Sequence, residues 1–200
     1  MKREQFDHII RAAAAIIGDD TVIVIGSQAI LGSWADSELP SALISSQEVD
    51  LIPSGDLQEK RNLIDGSIGE FSQFHETFGV WAHGVAESTA ILPAGWRDRL
   101  VPYRGASGSG AVARCLEPHD LWVAKAIRAD SRDVAYCHAL ATSGRLSREV
   151  LEARLAATSV EPVRLARARA LVMSSFDVQP ADPSPTTRGG PGPRRPPRIG

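Results

Sequence analysis

Apolar residues recur with helical spacing at the start of the chain. Phe6, Ile9, Ile10, Ala13 and Ile17 follow the i, i+3, i+4, i+7 rule, so residues 3–17 read as an amphipathic helix closed by Gly18. The period then switches. Residues 21–25, TVIVI, are short, β-branched and apolar throughout, which predicts a strand covered on both faces. Gly26 turns the chain, and Ser27 suits the N-cap of a helix from Gln28 to about Trp34. Residues 35–46 are polar, carry Pro40 and read as a loop. QEVDLI, 47–52, predicts a second strand, closed by Pro53. Residues 56–65 place Leu57, Leu63 and Ile64 on one side of a helix, and 66–79 has no clear period. VWAHGV (80–85) and TAILP (89–93) read as short strands, GWRDRLVPY (95–103) as a helical turn, GASGSG (105–110) as a loop between strands, and AVARCLEP (111–118) as a further strand.

After Pro118 the pattern is helical. Residues 119–128 and about 131–141 form two helices, a third opens on Ser147 as its N-cap, and a fourth carries Pro162 at a permitted first-turn position. From Asp177 the chain is rich in Pro, Gly and Arg. Such a segment buries too little apolar surface to fold, which predicts a disordered tail over 177–200. The expected organisation is an α/β (α+β) core over 1–116, a helical part of the same domain over 117–176, and that tail.

Composition narrows the picture. With 43% hydrophobic and 23% charged residues, a chain of 200 residues can bury a sizeable core. A net charge of −2 excludes a wholly basic nucleic-acid binder, so any basic surface is local. The two cysteines, Cys115 and Cys137, stand in no metal-ligand spacing and are too few for a disulfide scaffold. The start has no signal-peptide core and no apolar run approaches a bilayer-crossing length, so the expected setting is cytoplasmic with no membrane partner.

The chemistry concentrates in two places. Side chains alternate along a strand, so Glu48 and Asp50 share a face while Val49 and Leu51 point into the core. Carboxylates so placed converge on a divalent cation, which also relieves their repulsion; the plain alternative is an acidic strand face in water. Gly26-Ser27, at the end of a strand and the start of a helix, offers backbone N–H groups and a hydroxyl to phosphate, or is simply a capped tight turn. It matches neither a P-loop nor a dinucleotide fingerprint.

Strand, Gly-Ser, helix, loop and strand with E-x-D, here GSQAIL followed by EVDLI, resembles the nucleotidyltransferase fold of the DNA polymerase β superfamily. That resemblance implies a mixed sheet flanked by helices, Gly26 and Ser27 holding an NTP, and Glu48 and Asp50 holding Mg²⁺ (or Mn²⁺). EPHDLWVAKAIRADSRDVAYCHAL is similar to the helical part of AbiEii/MenT-type nucleotidyltransferases, toxins of toxin–antitoxin pairs; Asp120, Leu121, Lys125, Arg132 and Asp133 match its pattern. GSQAILG, IDGSIGE, FHETFG and TAILPAGW resemble an uncharacterised actinobacterial-type family of the same superfamily. The first acid is Glu48, where the superfamily more often has Asp, and only Glu87 offers a match to a third metal-binding carboxylate.

What the resemblance implies is NMP transfer from an NTP to an acceptor hydroxyl, with tRNA or another RNA as acceptor and an antitoxin protein as partner. The other function class is an inactive nucleotide-binding or protein-interaction module on the same fold. Lys125 is expected to neutralise charge in the transition state, or to be a surface lysine. Asp133 is either its partner, a base for the acceptor, or an acid in the first turn of a helix capped by Asp130. His75 reads as a core histidine, His83 and His119 as lacking any metal spacing, and the tryptophans as mostly core. Arg164 and Arg167 carry local charge suited to an RNA backbone or to a solvated helix face.

Overall fold

The structure is a computed structural model and describes residues 1–105 and 110–177. Helix α1 (Arg3–Ile17) buries the apolar stripe that its spacing defines. Gly18 ends it at φ 68°, its N–H donating to the Ala14 carbonyl. Strand β1 (Thr21–Ile25) follows, then a 3₁₀ helix over Ser27–Gly32, β2 (Glu48–Ile52), α2 (Gln58–Ile68), α3 (Gln73–Phe78), β3 (Trp81–Gly84), β4 (Val101–Arg104) and β5 (Val112–Cys115). Helices α4 (Pro118–Arg128), α5 (Ser131–Thr142), α6 (Arg148–Ala156) and α7 (Pro162–Phe176) complete the described chain.

The strands form one mixed sheet in the order β3-β2-β1-β5-β4. β1 runs antiparallel to β2 and parallel to β5, and β2 runs parallel to β3. Val49 and Leu51 are fully buried on the face opposite Glu48 and Asp50. Helix α2 covers that apolar face. A Cβ on Gly84 would stand 2.5 Å from the Arg61 carbonyl oxygen, so the Gly84 side of β3 faces α2, and its neighbour His83 points the other way. On the helical side, α4 packs on α5, α6, α7 and the Ser27–Gly32 turn, which joins the helices to the sheet. Trp122 is completely buried there and its indole N–H donates to the Cys137 carbonyl at 2.9 Å. Truncating such a residue to Ala typically costs about 3–5 kcal/mol.

Four expectations need correction. TAILP is not a strand: Glu87–Thr89 is a 3₁₀ turn, and Ala90, Ile91 and Leu92 pack half-buried against the core without a ladder partner. The Ala94 N–H bonds the Ala157 carbonyl beyond α6 instead, so the segment's apolar residues serve packing rather than pairing. GWRDRLVPY splits into a turn, Trp96–Arg99, and strand β4, antiparallel to β5. Ser27 is not an N-cap: Gly26 takes that position and the helix is a six-residue 3₁₀ turn ending at Gly32. In α2 the buried positions are Ile64 and Ile68, while Leu63 and the N-cap residue Leu57 are half-exposed. Residues 66–79, unassigned by period, hold the end of α2 and all of α3. Ser147 and Pro162 stand where the sequence places them, the Ser147 hydroxyl accepting from the Val150 N–H. Apart from Asp177, the expected disordered tail lies outside the described residues, as do Ala106 to Ser109 of the glycine-serine loop.

Candidate active site

Gly26 sets the site's inner wall. Its φ of 67° and ψ of −175° lie in a region essentially reserved for glycine. The β1–β2 register pairs Ile25 with Asp50, so the next residue runs across the Asp50 side chain. A Cβ on Gly26 would stand 1.9 Å from Asp50 Oδ2. Any larger residue would therefore both strain the backbone and displace the carboxylate.

The β2–β3 register pairs Asp50 with His83 and Glu48 with Trp81, which puts the His83 imidazole on the face of the two acids. Its Nδ1 lies 3.4 Å from Glu48 Oε1 and 3.7 Å from Asp50 Oδ1. One donor atom from each of the three residues lies within 4.8 Å of the others. Burial, and then the Glu48 charge, push the Asp50 carboxyl up to about 6, against the pull of His83, Lys125 and Arg128. In the sequence His83 has no metal spacing; the β2–β3 ladder corrects that by bringing it to the two acids from another strand. Its one signal was a polar residue in a short apolar strand, and its partners lie on a different strand. Glu87, the sequence match for a third carboxylate, pairs with Arg97 and is not part of the cavity lining.

Opposite the acids stands a basic wall at the α4–α5 corner. Lys125 Nζ donates to Asp133 Oδ1 at 3.1 Å, and Arg128 grips both Asp133 oxygens at 2.5 and 2.7 Å. Asp130 caps α5 by accepting from the Asp133 N–H at 2.9 Å. Asp133 therefore combines its first-turn position with the role of partner to Lys125. Its side chain is 1% exposed with both oxygens held by cations, which suits a positioning group rather than a base. Burial raises its pKa, but the hydrogen bonds and charges of Arg128 and Lys125 outweigh burial and leave it below the usual value. Lys125 also sits 4.5 Å above the Tyr136 ring, and the Tyr136 hydroxyl donates to the Ser27 carbonyl at 2.9 Å, tying the basic wall to the Gly-Ser turn.

Gly26, Ser27, Glu48, Asp50, Lys125 and Asp133 thus line a single cavity of about 940 Å³. The other singled-out residues lie elsewhere or do structural work. Asp120 is fully buried, bound bidentately by Arg99 and approached by Arg154 at 3.2 Å, so it ties the Trp96–Arg99 turn and α6 to α4. Arg167 donates to the Ile127 and Arg128 carbonyls and Arg164 to that of Ile127, which satisfies the C-terminal end of α4. His75 is half-buried, accepts from the Phe71 N–H and packs on Trp81. His119 bridges Glu117 and the Ser147 N–H.

The donor set fits a divalent cation: two carboxylates and an imidazole converge on one face, and the missing Gly26 side chain leaves Asp50 Oδ2 clear. No helix among the described residues is long and apolar enough to cross a membrane. A family model described as nucleotidyltransferase of unknown function (DUF6036) matches residues 4–179. No curated protein and no solved structure matches the chain.

Proposed function

The chain belongs to the DUF6036 family of nucleotidyltransferases, and from that premise we propose that it transfers NMP from an NTP to an acceptor hydroxyl in the cavity between the acidic and basic walls. The acceptor hydroxyl gives up its proton, its oxygen bonds the α-phosphorus, and the bond from that phosphorus to pyrophosphate breaks. Gly26 and Ser27 would present backbone N–H and hydroxyl groups to the β- and γ-phosphates. Glu48 and Asp50 would hold Mg²⁺ or Mn²⁺, which when bound polarises the phosphoryl oxygens and offsets their charge. Lys125 would offset charge developing toward the pyrophosphate, held in place by Asp133. Arg128 adds a second cation beside it, its side chain 65% exposed.

The observation carrying this reading is the convergence of the Gly-Ser turn, the acid pair and Lys125 on one cavity. The resemblance to toxin-type enzymes favours a tRNA acceptor and a toxin role paired with an antitoxin. The Lys125–Asp133 ion pair supports it, as do Arg128 and Arg132 on the cavity lining, where they suit a polyanion. Purified protein incubated with each labelled NTP, a tRNA pool and Mg²⁺ or Mn²⁺ tests both levels. Label on RNA with pyrophosphate release, lost in Asp50→Asn, is expected. Label on another acceptor removes the tRNA assignment alone. No transfer and no pyrophosphate under any combination removes the enzyme reading.

A further inference from the structure

His83 is the one group on the acidic wall that breaks an all-oxygen donor set. It is placed by the sheet: the β2–β3 ladder fixes its backbone directly beside that of Asp50, so its approach to the carboxylates does not depend on a loop. Its Nδ1 stands 3.4 Å from Glu48 Oε1 and 3.7 Å from Asp50 Oδ1. Both separations exceed the roughly 2.7–3.2 Å of a formed N–H···O bond. They fall in the range of neighbouring donors around a shared ion with bonds of about 2.2 Å, which sit about 3 Å apart when adjacent and about 4.4 Å apart when opposed. The His83 side chain is 52% exposed, so an ion and its waters can reach it from solvent.

We infer that His83 is a ligand of the cation site and that its imidazole makes the site favour a first-row transition-metal dication over Mg²⁺. This inference rests on the metal-binding part of the proposed function. The chemistry is one of ligand softness. Mg²⁺ is hard, keeps its waters and is served by carboxylates and phosphates, whereas an imidazole nitrogen raises affinity along the first-row series. Mn²⁺ is the natural probe, because it remains at ease with the two carboxylates and with phosphate oxygens while accepting nitrogen.

The test uses the full chain. Mn²⁺ binding is followed by EPR, with Mg²⁺ as competitor, for the unmodified protein, His83→Asp and His83→Ala. Electron spin echo modulation of the bound Mn²⁺ reports directly coordinated nitrogen. The inference expects nitrogen modulation in the unmodified protein and none in either variant. It also expects the Mn²⁺-over-Mg²⁺ preference to fall about tenfold in His83→Asp, chiefly because Mg²⁺ gains. Mn²⁺ bound without nitrogen modulation, or a preference that His83→Asp leaves unchanged, overturns it. Transfer activity persisting under those results would keep the enzyme reading intact. Absence of binding by either ion, with and without NTP, would remove the metal site from both.

Discussion

Asp50 on β2 and Asp133 on α5 border the same cavity, yet their surroundings push them in opposite directions. At the cavity's acidic edge Asp50 shares a face with a second carboxylate, and burial together with Glu48 carries its pKa up to about 6. At the helical corner Asp133 is the less exposed side chain, 1% against 27%, but Arg128 and Lys125 bind it and hold its pKa below the ordinary range. The corner is electrostatically complete as folded. The edge keeps carboxylate charge that the fold offsets only in part, which a bound cation would relieve. A carboxylate whose charge the fold leaves uncompensated is where a ligand has most to gain, whereas a compensated one is positioning hardware.

The largest effect that comparison predicts is on activity. Asp50→Asn should lower NMP transfer by about a thousandfold or more, since it removes the charge that would hold the cation, the main electrostatic aid in this class of reaction. Pyrophosphate release measured side by side for the two proteins checks it. A loss of less than tenfold would mean that the edge is not where the reaction is organised.

Next comes stability at the finished corner. Asp133→Asn leaves the mostly buried Lys125 without its anion and Arg128 with only Asp130, 3.5 Å away, and a buried pair broken on one side costs about 3 kcal/mol. The sign in pH follows from the lowered pKa. The carboxylate's contribution is present above its unfolded value near 3.8 and is lost as pH falls through its folded value. Urea unfolding should therefore show the variant far weaker at pH 7, with the gap closing toward pH 3. An equal gap at both pH values would deny the corner its ionic character.

At the unfinished edge the sign reverses. Native Asp50 keeps its proton up to about pH 6, while the unfolded chain releases it near 3.8, so metal-free stability falls as pH rises across that window. Two pK units correspond to about 2.7 kcal/mol at most, and partial exposure reduces this. Asp50→Asn should thus be more stable than the unmodified chain by about 1–2 kcal/mol at pH 8 and indistinguishable below pH 4. One substitution that abolishes transfer while raising stability is the signature of a functional carboxylate. A less stable Asp50→Asn at pH 8 would mean that the acid is structural.

The same contrast governs what the sequence makes legible. TVIVI, Gly26 and the alternation of Glu48 and Asp50 are local, and period and turn chemistry place them. Lys125 and Asp133 lie eight residues apart across a helix break at Ala129, so no period joins them; only the resemblance to a known pattern set them side by side. Arg128, which grips Asp133 most tightly, lies one turn beyond Lys125, where the helical period gives it no distinction. His83 shows no metal spacing in the sequence because its partners come through a parallel ladder from a strand some thirty residues earlier. TAILP misled for the converse reason: half-buried apolar residues imitate a strand where no ladder partner exists. Arg164 and Arg167 bind α4 carbonyls that the sequence does not reveal, and Arg164 lines the cavity as well.

The break between the two helices offers the smallest and most selective perturbation. Ala129 is the C-cap of α4 and adopts φ 52°, ψ 44°, a left-handed conformation that costs a Cβ-bearing residue about 1–2 kcal/mol. Its N–H donates to the Lys125 carbonyl, so the turn that aims Lys125 and Arg128 at Asp133 is held in that strained shape. Glycine relieves the strain and returns part of the gain as unfolded-chain entropy. Ala129→Gly should therefore stabilise the fold by about 0.5–1 kcal/mol in urea unfolding and leave the pH dependence contributed by Asp133 unchanged. If instead the variant loses stability and its pH profile flattens, the alanine is needed to keep the cations on their anion, and the corner is less complete than its hydrogen bonds imply.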